Sequence, residues 1–161
     1  MSLDLATSQG PAVADWLAAA EAALDEVARA ALGCAGQRVI SRDLSPPPLG
    51  GAWVQLLSDR EAVLVGLCSD AAGRARLASA LVGEEGLSAA DVTDALGEIA
   101  NMLAGGVKRR LVASCPGLQL GLPFFLHGRV EPSERQQWCA AELELALGCS
   151  VVLIVLREAR K

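Results

Sequence analysis

Residues 88–111 carry an apolar repeat that only a helix lying on a core satisfies. At about 100° per residue, Val92, Leu96, Ile99, Leu103 and Val107 fall on one stripe. Asp94, Glu98, Asn101 and Gly105 fall on the opposite stripe. The apolar stripe explains why the helix forms, and the polar stripe is where a function has room to sit. Ser88 is placed to cap the N-terminus, with Asp91 completing an approximate capping box, and the pattern runs to about Leu111. A chain committed to this helix needs a facing layer, and the remaining segments supply one.

An Ala-rich helix is expected from Ala12 to Leu32, with Trp16, Leu17, Ala20, Leu24, Val27 and Ala31 on its inner face and Gly33 and Gly36 ending it. Val39 to Leu44 reads as a short extended piece, and the proline run 45–51 as an ordered loop. Two strands, Ala52–Ser58 and Ala62–Cys68, form a hairpin around Asp59-Arg60-Glu61. Ser69 or Asp70 caps a further helix that Gly83 ends. Three extended segments close the chain: Leu118–Leu126, Gln136–Leu147 and Cys149–Arg157. The second contains helix-favouring residues (Ala140, Ala141, Glu142, Leu143), but its partial alternation and the turn at Gly148 favour a strand. The expected class is α+β, with helices packed on one face of a mostly antiparallel sheet. Residues 1–11 read as a mobile tail and 12–158 as one domain.

With 161 residues and 52% hydrophobic content, the chain can build one packed core. A formal charge of −5 argues against nucleic acid as the main ligand, since phosphate neutralisation needs clustered cations. Arg109-Arg110 reads as favourable charge near a helix C-terminus. Cys34, Cys68, Cys115, Cys139 and Cys149 are scattered, and His127 is the sole histidine, so no metal site is expected. The thiols suit a reducing cytoplasm. The apolar run Val151–Leu156 is too short to span a bilayer and suits a sheet strand that could extend across a two-fold axis.

An acid and an asparagine on a helix face are usually a solvated surface. Two features weigh against that reading here. Asparagine is a mediocre mid-helix residue, and each interior glycine costs about 1 kcal/mol relative to alanine. Asn101, Gly105 and Gly106 nevertheless interrupt an otherwise strong helix, so helix stability does not account for them. Glycine on the polar stripe would let a partner approach closely. Gly97, Ala100 and Ala104 form a second small-residue stripe, expected to pack against the first helix.

The stripe resembles the signature of the CheC/CheX/FliY phosphatases of bacterial chemotaxis: Asp or Ser, three residues, Glu, two residues, Asn, and a downstream proline. This chain supplies Asp94, Glu98 and Asn101, then Pro123 after 21 intervening residues, one fewer than the usual gap. The first helix offers Ala22, Glu26 and Arg29 at the same spacing, with Arg29 in the carboxamide's place. One competent motif points to a CheX-like member, with a fold of pseudo-two-fold halves.

The resemblance implies hydrolysis of the aspartyl-phosphate on a CheY-like response regulator. Asn101 would orient the attacking water, because a neutral carboxamide both donates and accepts without adding negative charge. Glu98 would pair with the receiver's active-site lysine. Asp94 and Gly105 would serve docking, and Pro123 would shape the chain beside the helix without touching substrate. The receiver would bring its own divalent metal (Mg), this chain would need no cofactor of its own, and a homodimer is implied by CheX relatives. The alternative is a non-catalytic receiver-binding or dimerisation module of the same fold. His127 is expected to be structural or at the surface.

Overall fold

The computed structural model describes residues 10–34, 36–45 and 47–159. Three helices pack on one antiparallel sheet. In chain order they are α1 (Val13–Ala30), β1 (Gln37–Ser41), β2 (Gly51–Leu57), β3 (Glu61–Cys68), α2 (Ala71–Val82) and α3 (Ala89–Leu111). Four strands follow: β4 (Gln119–Leu120), β5 (Phe124–Leu126), β6 (Gln137–Leu145) and β7 (Cys149–Ala159). The sheet order is β1-β6-β7-β3-β2-β4, with β5 also paired to β2.

The helix ends follow local chemistry. Asp70 caps α2 by accepting the Gly73 N–H at 2.7 Å. Gly83 ends α2 at φ +80°, a left-handed position that suits glycine. Ser88 Oγ accepts the Asp91 N–H at 3.1 Å and donates to Asp91 Oδ2 at 2.7 Å. The expected capping box is therefore half formed: the short Asp91 side chain takes the serine hydroxyl proton rather than the serine N–H. At α1 the acid reaches further back, and the Ala12 N–H donates to Asp15 Oδ2 at 3.0 Å.

β7 lies between β6 and β3, bonded to both. Val151, Leu153 and Val155 enter the main core under the helices, while Val152, Ile154 and Leu156 join a second cluster on the other face. Both faces are covered, so the strand reads as an unbroken apolar run rather than an alternating one. This corrects the idea that Val151–Leu156 extends the sheet across a two-fold axis: neither edge of β7 is free. The second face carries Trp53, Cys68 and Ala140 and is covered in part by Leu44, Leu49 and Val130 from irregular segments. The Ala/Glu-rich segment is strand β6 because β1 and β7 pair with it on either side.

The extended segment Leu118–Leu126 carries two short strands. β4 pairs with Leu56–Leu57 and β5 with Gly51–Trp53, both on the same edge of β2. The Gly121 N–H donates to the Gln55 carbonyl at 2.7 Å between them. Pro123 has no N–H to continue the ladder. Most of the expected tail, residues 1–9, lies outside the described residues. Gly10 is half-buried and Pro11 buried.

All five cysteines are free, and only Cys139 is not buried. Burial pushes the Cys68 thiol up to about 12 and Cys139 to about 11, so these two behave as small apolar groups. At the far end of the sheet, Glu61 receives two hydrogen bonds of 2.8 Å from Arg157, a buried bidentate pair that joins β3 to β7.

Candidate functional site

α3 is the element that builds the site. Its inner face, Leu96, Ile99, Leu103 and Val107, is at most 1% exposed and fixes the helix's rotation on the sheet. That rotation turns Asp94, Glu98 and Asn101 outward, and all three are exposed. Among the described residues no side chain hydrogen-bonds or ion-pairs with any of them.

These three side chains line one cleft of about 360 Å³. The helix wall is completed by Thr93 and Gly97, and the opposite wall is the segment Leu122–Phe125, with Ala52 at the back. Two carboxylates and one carboxamide therefore face an apolar wall, with no basic side chain in the lining. The structure brings Asp94, Glu98, Asn101 and Pro123 to the same cleft. Gly105 lies one turn beyond and does not line it; a side chain there would meet only the Arg109 guanidinium, at 3.7 Å.

The small-residue stripe divides differently from expectation. Ala100 and Ala104 are buried in the main core. Gly97 faces Pro123, whose ring carbons stand 3.6 Å from where a Cβ would be. The close approach to α1 is made by Gly106, where a Cβ would lie 2.7 Å from the Ala23 Cβ. Gly97 thus sets the width of the cleft, and Gly106 sets the distance between helices.

The matching stripe on α1 is internally occupied. Glu26 accepts from Arg110 at 2.8 Å and from Arg109 at 3.4 Å, and Arg29 pairs with Asp25 at 3.1 Å. The Arg110 hydrogen bond and charge, helped by Arg109, hold the Glu26 carboxyl below its ordinary range. Arg109-Arg110 therefore does more than complement its own helix terminus: it ties α3 to α1.

Most of the apolar wall lies outside the motif, with Leu122, Phe124 and Phe125 flanking Pro123. Phe125 lines the cleft from β5, carries the Arg74 guanidinium 5.7 Å from its ring centroid, and meets the His127 ring at 4.6 Å. His127 is exposed and lies outside the cleft lining. The signal in the sequence was the proline inside an apolar run, which marks where a strand must leave its ladder. Among the described residues no group of three or more His, Cys, Asp or Glu is placed to hold a metal ion. No helix among them is long and apolar enough to cross a membrane.

The family model for chemotaxis phosphatase CheX matches residues 51–141, more than half of the chain and all of the cleft. The chain belongs to the CheX family. Solved CheX structures share the fold across nearly their whole length. The chemotaxis protein CheX from Vibrio vulnificus superposes with a TM-score of 0.70 at 19% identity, covering 91% of this chain and 99% of that one. The CheX from Desulfovibrio desulfuricans gives 0.70 at 16% identity, with 88% and 99% covered. The CheX of a CheX–CheY–BeF3–Mg complex from Borrelia burgdorferi gives 0.71 at 16% identity, with 95% and 100% covered. No curated protein matches the chain by sequence. At these identities the structural likeness establishes the fold, while the family model establishes membership of a chemotaxis phosphatase family.

Proposed function

We propose that this CheX-family chain hydrolyses the aspartyl-phosphate of a CheY-like response regulator, with Asn101 orienting the attacking water and Glu98 docking to the receiver's active-site lysine. The observation that carries the proposal is the unpartnered state of Glu98 and Asn101 on one wall of one cleft. Polar side chains exposed one turn apart, with no internal hydrogen bond, are available to a partner. The Borrelia relative was solved in complex with CheY, BeF3 and Mg, which supports a receiver as the partner here and a metal held on the receiver's side. In the reaction, the water oxygen bonds to phosphorus as the acyl P–O bond breaks. The receiver's carboxylate leaves, and the water's protons pass to phosphate and solvent. The phosphoryl group and its metal are the receiver's, so this chain's task is to place a water in line. Asn101 does that through a carboxamide that both accepts and donates. A general-base role for Glu98 is not needed. Asp94 adds charge to the docking stripe.

The same reading places the protein in the cytoplasm, where receivers are. A homodimer is part of it too, with the sheet's edge strands as the available route, since β7 is interior; light scattering decides that point. The deciding experiment is phosphate release from receivers encoded in the same genome, each phosphorylated with acetyl phosphate. Wild type should accelerate release, and Asn101→Ala should lose on the order of 100-fold in kcat while keeping receiver affinity. Binding without acceleration by wild type would instead make the chain a docking module.

A further inference from the structure

We infer that the apolar ledge Leu122–Phe124 is the partner-affinity element of the cleft, receiving an apolar patch of the receiver beside the lysine that Glu98 meets. The inference rests on the receiver reading above and names the surface that gives that contact its strength.

Leu122 is 87% exposed, and Phe124 and Leu126 are 40% and 37% exposed. The other large exposed apolar side chains among the described residues, Ile40, Val82 and Val112, are scattered singly, as on any soluble surface. Only on segment 122–126 do three gather, and two of them, Leu122 and Phe124, line the cleft with Glu98 and Asn101.

The ledge is held rigidly. Gly121 is bonded to Gln55, β5 is paired to β2, and Pro123 rests against Gly97 of α3. Proline also restricts Leu122 to extended backbone. Burying Leu122 against a partner therefore orders no loop, which is the condition under which apolar contact converts efficiently into affinity.

The charge around the ledge selects the occupant. Asp94 and Glu98 face it with no internal cation, so an incoming surface that presents an ammonium group flanked by apolar side chains matches both walls. A second copy of this acidic chain would bring two such carboxylate stripes together. The carboxylates steer and register the partner, and the ledge holds it.

The test measures receiver affinity and steady-state phosphate release for wild type, Leu122→Ser, the Leu122→Ser/Phe124→Ser pair, and Val82→Ser as a control. The probe for affinity is the CheY-type receiver held in its phosphoryl-like state with beryllofluoride and Mg. Leu122→Ser should weaken the receiver Kd and raise KM by about tenfold, in the range of one buried interface anchor, with kcat held at saturation and an unchanged melting temperature. Val82→Ser should match wild type. Unchanged Kd and KM in the double variant would overturn the inference, whatever the hydrolysis rate. A loss of self-association on light scattering, with receiver Kd intact, would also overturn it by giving the ledge to a second copy. If wild type binds the receiver without hydrolysing it, the phosphatase reading fails, yet the Kd comparison still decides the ledge.

Discussion

Glu26 on α1 and Glu98 on α3 stand at the same spacing in two neighbouring Ala/Leu-rich helices, four residues after Ala22 or Asp94 and three before Arg29 or Asn101. Their surroundings differ. Glu26 is held by two arginines that reach across from α3, and the residue in the carboxamide's position is itself an arginine paired to Asp25. Glu98 has no such partner, and the residue three positions on is a free carboxamide. The α1 stripe engages its polar groups within the molecule, whereas those of the α3 stripe have no hydrogen-bond or ion-pair partner among the described residues. Spacing alone makes neither stripe a site; what separates them is the supply of internal cations.

Neutralising each acid in turn tests that distinction most directly. Glu98→Gln should weaken receiver binding by about tenfold or more, as expected when one member of a charge-assisted pair is lost. The loss should shrink as salt is raised, because part of the contact is solvent-exposed charge. Glu26→Gln should leave receiver affinity and phosphate release at wild-type values. Titrations of the receiver at two ionic strengths measure both. Equal losses from the two substitutions would erase the contrast between the stripes.

The adjacent glycines of α3 sharpen the same contrast in stability. Gly106→Ala places a methyl group 2.7 Å from the Ala23 Cβ, so α1 must shift. Overpacking of this kind costs about 1–3 kcal/mol, offset by about 1 kcal/mol of helix propensity. A net loss of up to about 2 kcal/mol is expected in urea unfolding. Gly105→Ala meets nothing closer than the Arg109 guanidinium at 3.7 Å, so stability should rise by up to about 1 kcal/mol. If Gly105 belongs to the proposed docking surface, phosphate release should fall, because the added methyl would stand one turn beyond Asn101 on the same stripe. A Gly105→Ala variant that is more stable and equally active would remove Gly105 from the docking surface.

Much of this organisation was legible in the chain. The 3.6-residue repeat gave α3 its limits and its two faces, because a buried helix must concentrate apolar groups on one side. The motif residues Asp94, Glu98 and Asn101 followed from that rotation. Three features were hidden because they depend on long-range pairing. The apolar run 151–156 does not say whether it is an edge or a centre strand until β6 and β3 are in place. The break at Gly121–Pro123 is visible as a proline, but the cleft it forms requires α3 to lie beside it. Arg109 and Arg110 read locally as charges near a helix end, and only the packing of α1 on α3 delivers Glu26 to them.

The smallest effect concerns acid stability. The Arg109 and Arg110 contacts hold the Glu26 carboxyl below its ordinary value of 4.5, so below that pH the unfolded chain takes up the proton first. The stabilisation is therefore complete above about pH 4.5 and is lost as the pH falls through the lower folded value. The Glu26 side chain is 51% exposed and its ion pairs are screened by solvent, which keeps the contribution small. Melting temperatures of wild type and Glu26→Gln, followed from pH 7 downward, should differ most above pH 4.5 and converge below it. Added salt should narrow the gap at neutral pH. A gap that persists unchanged into acid would show that Glu26 acts through packing or helix propensity, and that the two arginines do not hold the α1 acid by charge.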